Sequence, residues 1–483
     1  MKYFLPALAL SLLSISCANT AFVNKDISTP QPQQQDITQP VSAPSTLPSS
    51  LPSSLPQNII MVIGDGMGPA YTTAYRYFID NPTTDIVEET VFDRYLTGIS
   101  STYPASISGV VTDSAASATA LASGVKSYNG AIGVDVKKKP VQTVLEWAKL
   151  KGKKTGVVVT SQINHATPAS YLAHNEDRNN YNEIADSYID GGVKADLYFG
   201  GGWKYFLRED RNLVSEFKQA GFHYIDNYQG LTNLPSSKPV LGLFADKGLP
   251  WALDDTNKHR LSTMSKAAIH HLINLQQSDN KADHGFFMLI EASQVDWAGH
   301  DNDISSAMAE MDDLAKTIEY LEHFVSHHPD TLVIMTADHS TGGFTLAANG
   351  KYEWNADNLR TMKHSVTYIA KQLATHDISA KSTTPLFNFE LSPEELSSLV
   401  DSKRAANLDL NNSYQSKTRS SAELALLQRV KSIIDKRTNS GWTSGGHTAI
   451  DVPVFAFGQQ SHLFNGFQDN TDIAKKIFML LGK

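Results

Sequence analysis

Apolar residues along this chain fall into two patterns. Six short runs, at 59–63, 156–160, 196–199, 286–290, 331–336 and 452–457, are almost unbroken, as strands covered on both faces must be. The segments between them carry helical spacing. This alternation predicts an α/β fold around a mostly parallel central sheet flanked by helices. In such sheets ligands bind beyond the carboxyl ends of the strands, so the residues just after each run are the informative ones. Between 347 and 440 the strand pattern stops, and helical segments at 392–408 and 421–436 take over. This stretch reads as a helical insertion, and two roles stay open for it: a cap over the site, or a contact in a homodimer.

Ahead of the first strand the pattern changes. Lys2 precedes an apolar run from 3 to 13 that ends in Ser14-Ile15-Ser16-Cys17-Ala18, too short to span a bilayer. Residues 1–18 are therefore expected to be a signal peptide. Cys17 is the only cysteine, so no disulfide can form within the chain. It stands where a lipoprotein signal needs its modified residue, although Ser14 replaces the usual leucine. Ordinary cleavage after Ala18 is the alternative; the position of the sole cysteine favours a lipid anchor. Residues 19–57, rich in Pro, Ser, Gln and Thr, cannot bury enough apolar surface to order themselves and are expected to be a flexible linker. The globular part then occupies 58–483, and the expected location is the periplasm or, lipid-anchored, the outer membrane.

Composition narrows this picture further. The chain has 483 residues, 41% of them hydrophobic, which excludes disorder throughout and allows one large domain with an insertion. Its 41 basic and 50 acidic residues give a net charge of -9 without a long basic run, which argues against nucleic acid as the main partner. An anion would have to be held by local charge.

Three of the predicted strands end in candidate metal ligands. The first runs into Asp65, the fourth into Glu291 followed by Asp296 and His300, and the fifth into Asp338-His339. Each alone would more often be a helix cap or a solvated loop residue. One sheet edge gathers all of them, and four carboxylates in a small volume repel unless cations compensate. Gly64-x-Gly66 is no dinucleotide turn, because Pro69 takes the third glycine's place. Asp296 and His300, four apart, share a helical face and offer an oxygen and a nitrogen suited to zinc. Ser114 opens a helical segment, either as its cap or as a nucleophile at the positive helix end, where phosphate is also favoured. A serine hydroxyl needs a base or a metal to react at neutral pH, and with no Ser-His-Asp arrangement evident a metal is the better candidate.

These residues lie in six blocks that resemble the bacterial alkaline phosphatases from Asn58 to the C-terminus. The blocks are Ile63-Gly64-Asp65-Gly66-Met67-Gly68, Val111-Thr112-Asp113-Ser114-Ala115-Ala116-Ser117-Ala118-Thr119, His165-Ala166-Thr167-Pro168-Ala169, Glu291-Ala292-Ser293-Gln294-Val295-Asp296, Thr336-Ala337-Asp338-His339 and Gly446-His447-Thr448. The resemblance implies two Zn2+ and one Mg2+. It assigns Asp296, His300 and His447 to one zinc, and Asp65, Asp338 and His339 to a second that activates Ser114. Asp65 is shared with the third site, completed by Thr167 and Glu291. Arg178 matches the arginine that grips phosphate, and Asp113 orients it. His165 and Trp297 stand where well-studied relatives carry Asp and Lys, a combination similar to another bacterial subset. Losing that acid leaves the identity of the third ion open. With three divalent ions and Arg178 set against four carboxylates and an ionised Ser114, the pocket is about two charges positive, enough to hold a phosphate dianion.

The resemblance thus implies hydrolysis of small phosphate monoesters at alkaline pH through a phosphoserine at Ser114. A phosphodiesterase of the same superfamily is the nearest alternative. A sulfatase is disfavoured, because Ser114 lacks the Pro and Arg that follow a sulfatase's modified residue. A non-catalytic periplasmic protein that binds metal or phosphate would need the ligands but not Ser114 beside Arg178.

Overall fold

The computed structural model describes residues 54–278, 284–408 and 419–483. The expected signal peptide, Cys17 and almost all of the linker lie outside these residues. From Ser54 the chain is tied down: Gln459 donates to the Ser54 hydroxyl at 3.0 Å, and the Gln57 amide donates to the Asp330 carbonyl at 2.8 Å.

All seven residues of β1 (Asn58–Gly64) are buried, because its neighbours cover both of its edges and helices cover both of its faces. Its side chains alternate between two apolar layers. Ile60 and Val62 pack with Met288 and Ile290 beneath the helices Arg260–Ser278 and Ile304–His327. Ile59, Met61 and Ile63 pack with Phe287 and Leu289 beneath Ser114–Ser123, Ala166–Leu172 and Asn470–Leu480.

The further strands are β2 (Leu96–Ser101), β3 (Lys154–Gln162), β4 (Leu197–Gly201), β5 (His223–Ile225), β6 (Val240–Leu243), β7 (Phe286–Ala292) and β8 (Thr331–Thr336). Then come the two-residue strands β9 (Ser340–Thr341), β10 (Thr345–Leu346), β11 (Ser440–Gly441) and β12 (His447–Thr448), followed by β13 (Val452–Gly458) and β14 (Gly466–Asp469). Ten of them form one sheet in the order β14-β2-β13-β8-β1-β7-β3-β4-β6-β5. The sheet is parallel from β8 to β5, with Ile59 opposite Phe287 on one side and Leu332 on the other. Only β13 runs against its neighbours β8 and β2.

All six apolar runs are strands of this sheet. Sequence patterning passed over β2, β5, β6 and β14. β5 has three residues and β6 and β14 four each, while β2 reads Leu-Thr-Gly-Ile-Ser-Ser, in which only the two serines are buried.

The expected insertion is closed at its base by β10 pairing with β11. Within it, helix Ser421–Thr438 packs on Val366–Thr375 and Pro393–Leu408. Lys431 donates to the Asp301 carbonyl at 2.5 Å, and Trp442 Nε1 donates to Asp435 at 3.1 Å. The first bond sets the insertion against the end of helix Gln294–Asp301, and the second ties it to the strand segment that follows.

A buried ion cluster holds that same helix from below. Arg260 is fully buried and donates to Asp313 at 2.8 Å, to both oxygens of Glu310 at 2.8 Å, and to Gln294 at 3.1 Å. Burial raises the Asp313 carboxyl to about 6 even with Arg260 against it. Arg260→Ala strands two buried carboxylates, so denaturant unfolding is expected to show a loss of about 3–5 kcal/mol. A loss below about 1 kcal/mol would mean that the cluster contributes little.

Candidate active site

The central strands β8, β1, β7 and β3 are adjacent, and each delivers its C-terminal residues to the same edge. Asp65 follows β1, Glu291 lies in β7 with Asp296 and His300 on the helix after it, Asp338-His339 follow β8, and His165 and Thr167 follow β3. Gly66, at φ +72°, makes this convergence possible. A Cβ there would lie 2.6 Å from the Cα of Asp296, so only glycine lets the Asp65 turn meet the Asp296 helix. His447 arrives from the far end of the chain, because β12 pairs with β9 and sets His447 opposite Thr341.

Hydrogen bonds orient the three imidazoles. His300 Nδ1 donates to the Gly445 carbonyl at 2.7 Å and His447 Nδ1 to the Thr112 carbonyl at 2.9 Å. Carbonyls only accept, so in the neutral rings each Nε2 keeps its lone pair. Those two Nε2 atoms are 3.1 Å apart, and they lie 3.4 and 3.6 Å from the carboxylate of Asp296. His339 is fixed similarly: Thr341 Oγ1 donates to Asp296 at 2.5 Å and so accepts from His339 Nδ1 at 3.2 Å. The Nε2 of His339 then faces Asp338 at 3.2 Å, Asp65 at 3.6 Å and the hydroxyl of Ser114 at 3.1 Å.

Ser114 is the first residue of helix Ser114–Ser123, and it does not cap it. Asp113 does, accepting from the Ala116 amide at 2.9 Å, which leaves the Ser114 hydroxyl to face the site. All ten residues of this helix are buried, and Ser117 donates to the Asp338 carbonyl at 2.7 Å, a close approach its Ala and Ser composition permits. The other oxygen of Asp113 accepts from the Gly130 amide and from Arg178 Nη1, each at 3.0 Å. The chain segment bearing Arg178 is clamped by His174, between the Gly133 carbonyl at 2.6 Å and Glu146 at 2.9 Å. Arg178 keeps its charge because Asp113 outweighs the effect of burial. Its Nη2 reaches His165 Nε2 at 3.4 Å, and His165 meets Trp297 edge-on at 5.8 Å between ring centres.

Without cations the donor cluster is under strain. Burial, reinforced by Asp338, Asp296 and Glu291, pushes Asp65 far above the carboxylate range. Burial also raises Asp338 to about 8 and Glu291 to about 7, while it drives His339 far down and lowers His165, beside Arg178, to about 3. Both oxygens of Asp65, one each of Asp338 and Glu291, the Thr167 hydroxyl and His165 Nδ1 are buried without a hydrogen-bond partner. Orphaned acceptors and opposed lone pairs are the environment of a bound cation, so these residues fit divalent metal ions. Three donor groups fall within metal-binding reach: Asp296 with His339 and His447, Asp65 with Asp338 and His339, and Asp65 with Glu291 and His165.

The structure gathers the expected donors around this one edge, but it groups His339 rather than His300 with Asp296 and His447, and His300 lies beside them. It adds His165 as a nitrogen donor beside Asp65 and Glu291, a third site for which the sequence reading named Asp65, Thr167 and Glu291 as ligands. It also adds Thr341, whose one sequence signal is its place two residues after His339. The depth of the groups is graded: His300 is 40% exposed, Asp296 5%, and Asp65, Asp338 and His339 are at 0%.

Comparison with known proteins gives a consistent family. Residues 56–482 match the family model described as alkaline phosphatase. Alkaline phosphatase 3 of Bacillus subtilis (strain 168) is 44% identical over 430 residues, spanning 88% of each chain. The solved cold-active alkaline phosphatase of a psychrophilic Shewanella sp. superposes with a TM-score of 0.80 at 45% identity, covering 88% of this chain and all of that one. A histidine-to-aspartate mutant of the alkaline phosphatase from the Antarctic bacterium TAB5, described with Mg bound in its M3 site, superposes with a TM-score of 0.63 at 28% identity, over 90% of this chain and 99% of that one.

Proposed function

The chain belongs to the alkaline phosphatase family, a metal-dependent family acting on phosphate monoesters, and from that premise we propose that Ser114 is its nucleophile. The carrying observation is the Ser114 hydroxyl at a helix N-terminus, 3.1 Å from His339 Nε2 within the metal-donor cluster. Arg178, held by Asp113, is placed to bind two phosphoryl oxygens in its fork, and the helix end adds its positive dipole. The Ser114 oxygen bonds to phosphorus as the ester oxygen departs and takes up a proton. Water then attacks the phosphoserine, the Ser114 oxygen leaves and is reprotonated, and inorganic phosphate is released.

Asp296, His300 and His447 would hold one zinc ion, Asp65, Asp338 and His339 a second, and Asp65, Thr167 and Glu291 a magnesium ion beside His165 and Trp297. Ions held there supply the positive charge that favours an ionised Ser114 hydroxyl and offsets charge building on the phosphoryl group. The test is to mix the protein with an aryl phosphate monoester, quench in acid and map the phosphate by mass spectrometry. Phosphate on Ser114 is expected. Label on another residue, or faster turnover of the corresponding diester, would overturn this reading.

The third group gives a separate prediction. A carboxylate attracts a divalent ion and its waters more strongly than a neutral imidazole, so His165→Asp is expected to lower the magnesium concentration needed for full activity. The TAB5 mutant described with Mg motivates the same substitution here. Unchanged or weaker magnesium dependence in a titration would count against placing that ion beside His165.

A further inference from the structure

Thr341 joins Asp296, assigned above to one zinc ion, to His339, assigned to the other, and belongs to neither ligand set. Its hydroxyl donates to Asp296 at 2.5 Å and accepts from His339 Nδ1 at 3.2 Å. The residue is fully buried, and its main chain is held at two points: its amide donates to the Gly66 carbonyl at 3.1 Å, and its carbonyl accepts from Tyr71 at 2.8 Å. Across the β9–β12 pair it lies opposite His447, whose ring stacks on that of His339 with centres 3.5 Å apart. Among the described residues, no other side chain joins a ligand of one group to a ligand of the other by two hydrogen bonds through a single atom.

The direction of these bonds matters. An ionised Asp296 can only accept, so the threonine proton points to it and the oxygen lone pair is left for His339. That fixes the proton of His339 on Nδ1 and its lone pair on Nε2, the tautomer that faces Asp65, Asp338 and Ser114. An ion drawing on Asp296 thereby holds Thr341 in the orientation that prepares His339, and an ion on His339 prepares Asp296 in return. Valine has nearly the same shape, but it would leave a buried N–H and a buried carboxylate oxygen unpaired and cut the link.

We propose that Thr341 is a positioning residue that couples the two zinc groups, so that filling one raises the affinity of the other. This rests on the assignment of the ligands above. The experiment is stepwise zinc uptake by the metal-free full chain, followed by titration calorimetry and elemental analysis, for wild type, Thr341→Val, Thr341→Ala and Thr341→Ser. Wild type and Thr341→Ser are expected to load two ions in one cooperative step. Thr341→Val and Thr341→Ala should load them in two steps, the second at least tenfold weaker, with a species carrying one ion at intermediate zinc. The metal-free forms are compared by circular dichroism, so that a fold defect is separated from a binding defect, and Thr341→Ala serves if Thr341→Val does not fold. One cooperative step in either folded variant overturns the coupling. A wild-type chain that takes up no zinc overturns the ligand assignment instead.

Discussion

Ser114→Ala is expected to lower turnover of a simple aryl phosphate by roughly three to six orders of magnitude, the range seen when a covalent nucleophile is removed. Its hydroxyl makes one hydrogen bond, to His339, and caps nothing, since Asp113 holds the helix start. Stability should therefore change by only about 1 kcal/mol. Zinc content should stay near that of wild type, because the carboxylate and imidazole donors are all unchanged in this variant. The check is activity measured together with metal analysis and a melting curve. Turnover within tenfold of wild type, in a variant that carries its metal, would remove Ser114 from the mechanism.

Removing the metal should abolish activity, and zinc should restore it, with magnesium adding to the recovery. The metal-free protein should also melt lower, because ions that bind only the native state stabilise it by mass action. The size of that difference should depend on pH with a defined sign. In the metal-free fold Asp338 titrates near 8 and Glu291 near 7, both above their unfolded values. These two carboxyls bind more protons in the native state than in the unfolded state, so their contribution to the stability of the metal-free form falls as pH rises from about 4 to about 8. Ions replace those protons in the loaded form and remove the loss. The gap in melting temperature between loaded and metal-free protein should therefore widen between pH 5 and pH 8. A gap that narrows, or full activity in protein shown to be free of metal, would contradict this charge balance.

The part of this fold built by long unbroken apolar runs was legible in the sequence, because strands covered on both faces have no polar positions to confuse the pattern. β1, β7 and β8 read this way, and each ends in or is followed at once by residues of the donor cluster, so that cluster was legible too. Less was legible where stability comes from elsewhere. β2 is partly exposed and lies between β13 and β14, so its residues record partners distant in sequence more than an intrinsic run. Arg260 looks like any surface arginine until Glu310 and Asp313 are seen around it. Thr341 gives no signal of its own, since its role depends on Asp296, 45 positions away. His165 was placed by family likeness, and its reach to Asp65 and Glu291 depends on how β3 and β7 align, which the order of residues does not state.

The antiparallel strand β13 also makes completion of the sheet depend on long-range pairing. It lies between β2 and β8, and β14 then closes on β2, so the last thirty or so residues complete the middle of one half of the sheet. His447 comes only just before them. The donors that lie earlier in the chain therefore wait on strands far from them in sequence, and non-local pairing of this kind is slow to form. The unfolded polypeptide has neither a finished sheet nor a seated donor cluster, and the same long-range pairing that closes the one assembles the other.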